Sequence, residues 1–155
     1  MHKYVFQSRP RKVCQMKKST DDILKSLKSK DSLDDFLKEN ESEFDFDSLC
    51  DYIEYHLITN KLSKADVIAA SGLGREYGYQ IINGTRKPSR DKLIMLCFGL
   101  RLTLEQTQRL LRYAGFGELY PKNRRDAVIS YGLTHGYSII DMNISLVDHN
   151  LDELK

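Results

Sequence analysis

The 155-residue chain has no tryptophan, only three cysteines and no long apolar run. A membrane-spanning helix needs ~18 consecutive apolar residues, and no stretch approaches that length. Cys14, Cys50 and Cys97 are odd in number, far apart and without a C-x-x-C pair. Such spacing excludes a disulfide framework and a zinc ribbon, and fits reduced thiols in a cytoplasmic protein. The opening residues, Met1-His2-Lys3-Tyr4-Val5-Phe6, lack the apolar core of a signal peptide. Met16-Lys17-Lys18-Ser19 reads as an ordinary translation start, which would make residues 1–15 an upstream extension. Neither a G-x-S-x-G elbow nor a phosphate-binding loop of the G-x-x-x-x-G-K type occurs. Gly72, Gly74 and Gly78 have the wrong spacing for a dinucleotide loop and follow a helical segment instead of a strand. His2, His56, His135 and His149 show no metal-ligand spacing, and Ser130 and His135 sit at a poor angle for a nucleophile and its base. The expectation is a protein without catalytic residues, metal or cofactor.

What is present is charge in blocks. Residues 1–20 hold six Lys/Arg and no acid, whereas residues 21–60 hold twelve acids and four Lys. Residues 61–125 hold thirteen Lys/Arg against five acids, and residues 126–155 hold five acids and one Lys. A basic centre between acidic flanks suits a molecule of which one part meets a polyanion while the rest avoids it.

Helical periodicity runs almost throughout, and no segment alternates like a strand, so the fold class is all-α. Residues 1–18 read as a basic flexible tail and 19–46 as an acidic helical segment. In that segment Ser19 with Asp22 and Ser32 with Asp35 cap two short helices. Leu49, Tyr52, Ile53, His56 and Leu57 then line one helix face. Ser63-x-x-Asp66 caps a helix with Val67, Ile68 and Ala70 on its apolar side, ending at Ser71-Gly72. A short helix runs from about Gly74 to Asn83-Gly84. Pro88-Ser89-Arg90-Asp91 opens another, and Thr103-x-x-Gln106 is a capping box for the next. Two further helices are expected, about Arg124–His135 and, after Ser138-x-x-Asp141, Ile139–Leu151. The layout Thr59-Asn60-Lys61-Leu62-Ser63 is echoed by Thr134-His135-Gly136-Tyr137-Ser138.

Within residues 62–90, Leu62, Ser63, Val67, Gly72, Leu73, Ile81, Gly84 and Pro88 fall, without a gap, on the pattern of a known family. Residues 47–115 resemble the Xre (phage-repressor-like) helix-turn-helix domain, a five-helix bundle. Residues 116–155 look like the C-terminal helical extension of a bacterial subgroup. The resemblance implies a transcriptional regulator, expected to be a homodimer, that binds double-stranded DNA with its reading helix at about 74–83 in the major groove.

The residue chemistry suits that expectation. Arg75, Glu76, Tyr79 and Gln80 are the candidate base readers, since Arg pairs with guanine and Gln with adenine at ~1–3 kcal/mol of discrimination each. Lys64, Asn83, Thr85, Arg86, Lys87 and Arg90 are the candidate contacts to the phosphate backbone. Tyr77 reads as a core residue, and Tyr79 either stacks on sugar or covers the neighbouring helix. Two positions depart from the family. Gly78 stands where an anchoring apolar side chain is usual, and Ile68 where a small Ala is usual. Looser or shifted helix packing there is the expected consequence. The alternative function is a protein-interaction module of the same fold, antitoxin-like or an adaptor, gripping its partner through the acidic N-terminal segment or the C-terminal helices.

Overall fold

Serine, threonine or asparagine stands at the start of almost every helix, and its side-chain oxygen accepts from a backbone N–H three residues on. Each such cap satisfies a donor that the helix cannot satisfy itself, worth ~1 kcal/mol. The computed structural model describes residues 18–41 and 48–155. Among these it contains nine α-helices and no strand. Residues 1–17 of the expected basic tail, Cys14 among them, and residues 42–46 of the expected acidic segment lie outside the described residues.

The chain divides into a unit ending at Asp45 and a unit from Phe46 to Lys155. In the first, α1 (Thr20–Ser29) and α2 (Leu33–Glu39) are organised around Asn40, which is fully buried. Its amide donates to the Phe36 carbonyl and to Ser26 Oγ, while its Oδ1 accepts from Lys18. Phe36 is buried, whereas Leu33 and Leu37 are exposed.

The second unit holds α3 (Leu49–Thr59), α4 (Lys64–Ser71), α5 (Arg75–Ile82), α6 (Arg90–Gly99), α7 (Leu104–Tyr113), α8 (Arg124–Thr134) and α9 (Ile139–Asp148). Residues 47–115 and 116–155 therefore share one compact body. Helix α6 is its axis: Leu93 to Leu100 are all buried, and α4, α7 and α9 pack on it. Gly99 lets α4 approach closely, because a Cβ there would stand 2.4 Å from the Val67 carbonyl oxygen. The buried face of α4 is Val67, Ile68 and Ser71, so the expectation for Ala70 is corrected: it lies on the exposed side.

The corner between α3 and α4 recurs twice. Asn60-Lys61-Leu62-Ser63, Leu100-Arg101-Leu102-Thr103 and His135-Gly136-Tyr137-Ser138 each place a left-handed residue second and the cap of the next helix fourth. In each, the N–H of the third residue donates back to a carbonyl five residues earlier, closing the helix end. The first and last were legible as an echo in the sequence. The middle one was not, although Arg101 takes the left-handed backbone at φ 56° just as Lys61 does at 52° in the first.

Two ion pairs tie α6 to α8. Arg90 donates from both terminal nitrogens to the Asp126 carboxylate at 3.0 and 2.9 Å. Arg125 does the same to Asp91 at 3.0 and 2.7 Å. Neighbouring residues thus exchange partners of opposite sign between two helix starts. Arg125 also donates to the Asp152 and Glu153 carbonyls, which draws the C-terminal residues in and helps seat Leu154 in the core.

Candidate nucleic-acid interface

Helices α4 and α5 meet through Gly72-Leu73-Gly74. Gly72 adopts φ +71°, a conformation costly for any residue with a Cβ, while Leu73 is buried and pins the turn to the core. Helix α5 then buries Gly78, Ile81 and Ile82. Arg75 and Glu76 are left exposed, and Tyr79 and Gln80 half-buried. Its C-terminus is closed by Gly84 at φ +78°, with the Thr85 and Arg86 N–H groups and the Thr85 hydroxyl all directed at the Gln80 carbonyl. That turn fixes Asn83 to Lys87 as an ordered, exposed strip directly after α5.

The two helices that would flank a phosphate are linked: Lys64 Nζ donates to Asn83 Oδ1 at 3.0 Å. The Arg86 guanidinium lies over the Tyr77 ring at 4.8 Å from its centroid, and Lys92 Nζ lies 5.8 Å from the same ring. Tyr77 is half-buried against the core, so it holds two cations on one side while anchoring α5 on the other. None of Lys64, Arg75, Arg86, Lys87 and Lys92 forms an ion pair among the described residues. Their charge is therefore uncompensated close by. Of the seven helices in this unit, α5 alone has no side-chain cap; its N-cap is Gly74, and its first N–H groups remain available to an anion.

Two expectations change. Arg90 leaves the set of phosphate contacts: four of its five N–H groups already donate to Asp126 and to the Gly117 and Glu118 carbonyls. Lys92, not singled out in the sequence, is half-buried with its Nζ towards the Tyr77 ring and has no carboxylate partner among the described residues. Packing around Gly78 is also tight instead of loose. A Cβ on Gly78 would stand 2.7 Å from both Cγ1 and Cγ2 of Ile68, so the isoleucine fills the space that the glycine vacates. The two departures from the family pattern are one exchange of size between facing helices.

Elsewhere in the unit, His56 is 2% exposed, and burial pushes its pKa down to about 4, so its ring is neutral. Burial likewise raises the Cys97 thiol to about 12, which makes it inert. Burial opposes the charge on Asp126, but the Arg90 hydrogen bonds and the Tyr120 N–H prevail and hold its pKa below the usual value. Among the described residues no group of His, Cys, Asp or Glu could hold a metal ion, and no helix is long and apolar enough to cross a membrane. No protein-family model, curated protein or solved structure matches this chain.

Proposed function

We propose that the protein binds double-stranded DNA as a sequence-specific transcriptional regulator of the Xre helix-turn-helix type, with α5 in the major groove. The observation that carries this reading is the surface around α5: Arg75, Arg86 and Lys87, exposed, and Lys64 and Lys92, half-buried, lie on or beside a helix whose start has no side-chain cap, and none has a carboxylate partner among the described residues. A duplex presents a phosphate array to match such cations, and base edges to match Arg75 and Gln80 on α5. In this reading Arg75, Glu76, Tyr79 and Gln80 face bases, while Lys64, Asn83, Thr85, Arg86, Lys87 and Lys92 serve the backbone. Homodimerisation is part of the proposal. Ile140, Ile144 and Val147 are each more than half exposed along α9, an apolar stripe suited to pairing with a second copy.

That same stripe supports the second reading, in which the chain is an antitoxin-like or adaptor module and α9 grips another protein. Fluorescence anisotropy with a pool of random duplexes separates the two. DNA binding should weaken steeply with salt, and Arg86→Ala should lower affinity on all sequences and reduce the slope of log affinity against log salt by ~1. Gln80→Ala should relax preference at one base pair and leave non-specific binding nearly intact. Absence of duplex binding at low salt would overturn the DNA reading and favour the module.

A further inference from the structure

On the side of α4 that carries Ala70, a cleft of about 440 Å³ opens between α4, α6 and the α8–α9 pair. Its size falls within the range of small-molecule sites. Phe98, Leu102, Leu133 and Ile139 supply apolar wall. At its edge stands Arg101, exposed and without a carboxylate partner among the described residues.

Arg101 is held at φ +56°, as Lys61 is at +52° in the matching corner between α3 and α4, so this backbone belongs to the corner itself. Thr103 and Ser138, the N-caps of α7 and α9, also line the cleft, but both are occupied as caps, and Ser138 Oγ donates to the Asp141 carboxylate at 2.7 Å. Arg101 is therefore the group that supplies positive charge to the cleft.

We infer that this cleft is a binding site for a small apolar carboxylate, its hydrocarbon or aromatic body against Phe98 and Leu133 and its carboxylate on Arg101. The apolar wall rewards the body, and the guanidinium rewards the anion. The inference is independent of the DNA reading, because binding is read directly on the full chain.

The test is a two-dimensional amide NMR titration of the full chain with phenylacetate, hexanoate and indole-3-acetate, each beside its neutral amide, and with acetate. Saturable shifts at Arg101, Leu102, Thr134 and Gly136 are expected for at least one of the three acids, with a Kd of ~1 mM or tighter. Its amide and acetate should bind at least ~10-fold more weakly, the difference a lost charge-assisted contact or a lost apolar body makes. Arg101→Asn keeps a residue that tolerates the left-handed backbone, and should weaken the acid by a similar factor. Ala70→Leu narrows the cleft from the α4 side without touching the cation, and should weaken the acid as well. The inference is overturned if none of the three acids gives saturable shifts at these positions. Equal binding of acid and amide, or no effect of either substitution, also overturns it.

Discussion

Replacing Gly78 by alanine tests whether α4 and α5 are held by an exchange of side-chain size. The new methyl carbon would lie 2.7 Å from two Ile68 carbons and 3.1 Å from a third. Carbon atoms in contact normally stand ~3.5–4.0 Å apart, so α5 or Ile68 must retreat by about 1 Å. Ile68 is 3% exposed and branched at Cβ, so it has no free rotamer to enter. Overpacking of this kind costs ~1–3 kcal/mol, and alanine recovers ~1 kcal/mol of helix propensity, leaving a net loss of ~0–2 kcal/mol. Ile68→Ala alone should cost ~2–5 kcal/mol through the cavity it leaves. In the double variant the methyl added at position 78 enters that cavity, the clash is gone and the propensity gain is expressed. Ile68→Ala with Gly78→Ala should therefore be more stable than Ile68→Ala by itself. Urea unfolding followed by far-ultraviolet circular dichroism gives all four corners of the cycle, with an expected coupling of ~1–3 kcal/mol. Additivity to within ~0.5 kcal/mol would refute the exchange.

Arg90→Ala should lower stability by ~3 kcal/mol, because Asp126, 7% exposed, is left as a buried charge without its cation. The salt dependence of duplex binding by the folded variant should be unchanged, unlike that of Arg86→Ala; a reduced slope would return Arg90 to the DNA surface. His56 has its pKa lowered from 6.5 to about 4 by burial, so the unfolded chain takes up a proton that the folded one refuses. Stability should fall as pH drops from 6.5 towards about 4, with a slope approaching ~1.4 kcal/mol per pH unit. His56→Leu should flatten that limb in urea titrations, and an unchanged slope would place the proton elsewhere. Gly74→Asp gives α5 the cap it lacks; φ −59° and ψ 141° suit any residue, and a Cβ there meets nothing within 4 Å. Stability should rise by a few tenths of a kcal/mol while duplex affinity falls several-fold in anisotropy, because the carboxylate occupies the N–H groups and repels phosphate. Unchanged affinity would remove the α5 start from the interface.

The helices were legible because their signals are local. Ser63 with Asp66, Thr103 with Gln106 and Ser138 with Asp141 announce helix starts within three residues, and each stands at its N-cap in the structure. The segment about 74–83 was placed by its flanking glycines, and α5 occupies Arg75–Ile82. Legibility failed where a residue's role depends on a distant partner. Ile68 and Gly78 looked like two separate defects because periodicity assigns each to its own helix. Only the crossing of α4 and α5 reveals that one side chain fills the place of the other. The corner at Arg101 went unread for a related reason: Lys61 and Arg101 hold left-handed positions that normally announce themselves through glycine, and the corner at Lys61 was noticed only through its likeness to the one at Gly136.

The candidate site shows the same division between local and distant causes. Arg86 and Lys87 keep the exposure that a motif-based reading assumes, whereas Lys64 is half-buried with its Nζ on Asn83. Arg90 and Lys92 stand two residues apart in a basic stretch, and the sequence offers no way to rank them. Their roles are set by α8, more than thirty residues further on, which brings Asp126 against Arg90. The same helix brings Arg125 to Asp91 and so neutralises the acid that lies between the two cations. Lys92 is left with the Tyr77 ring and open solvent, on the side where Arg86 already sits. The C-terminal helices thus determine which cations of the basic centre remain free, and their removal would change the charge offered to a polyanion as well as the packing.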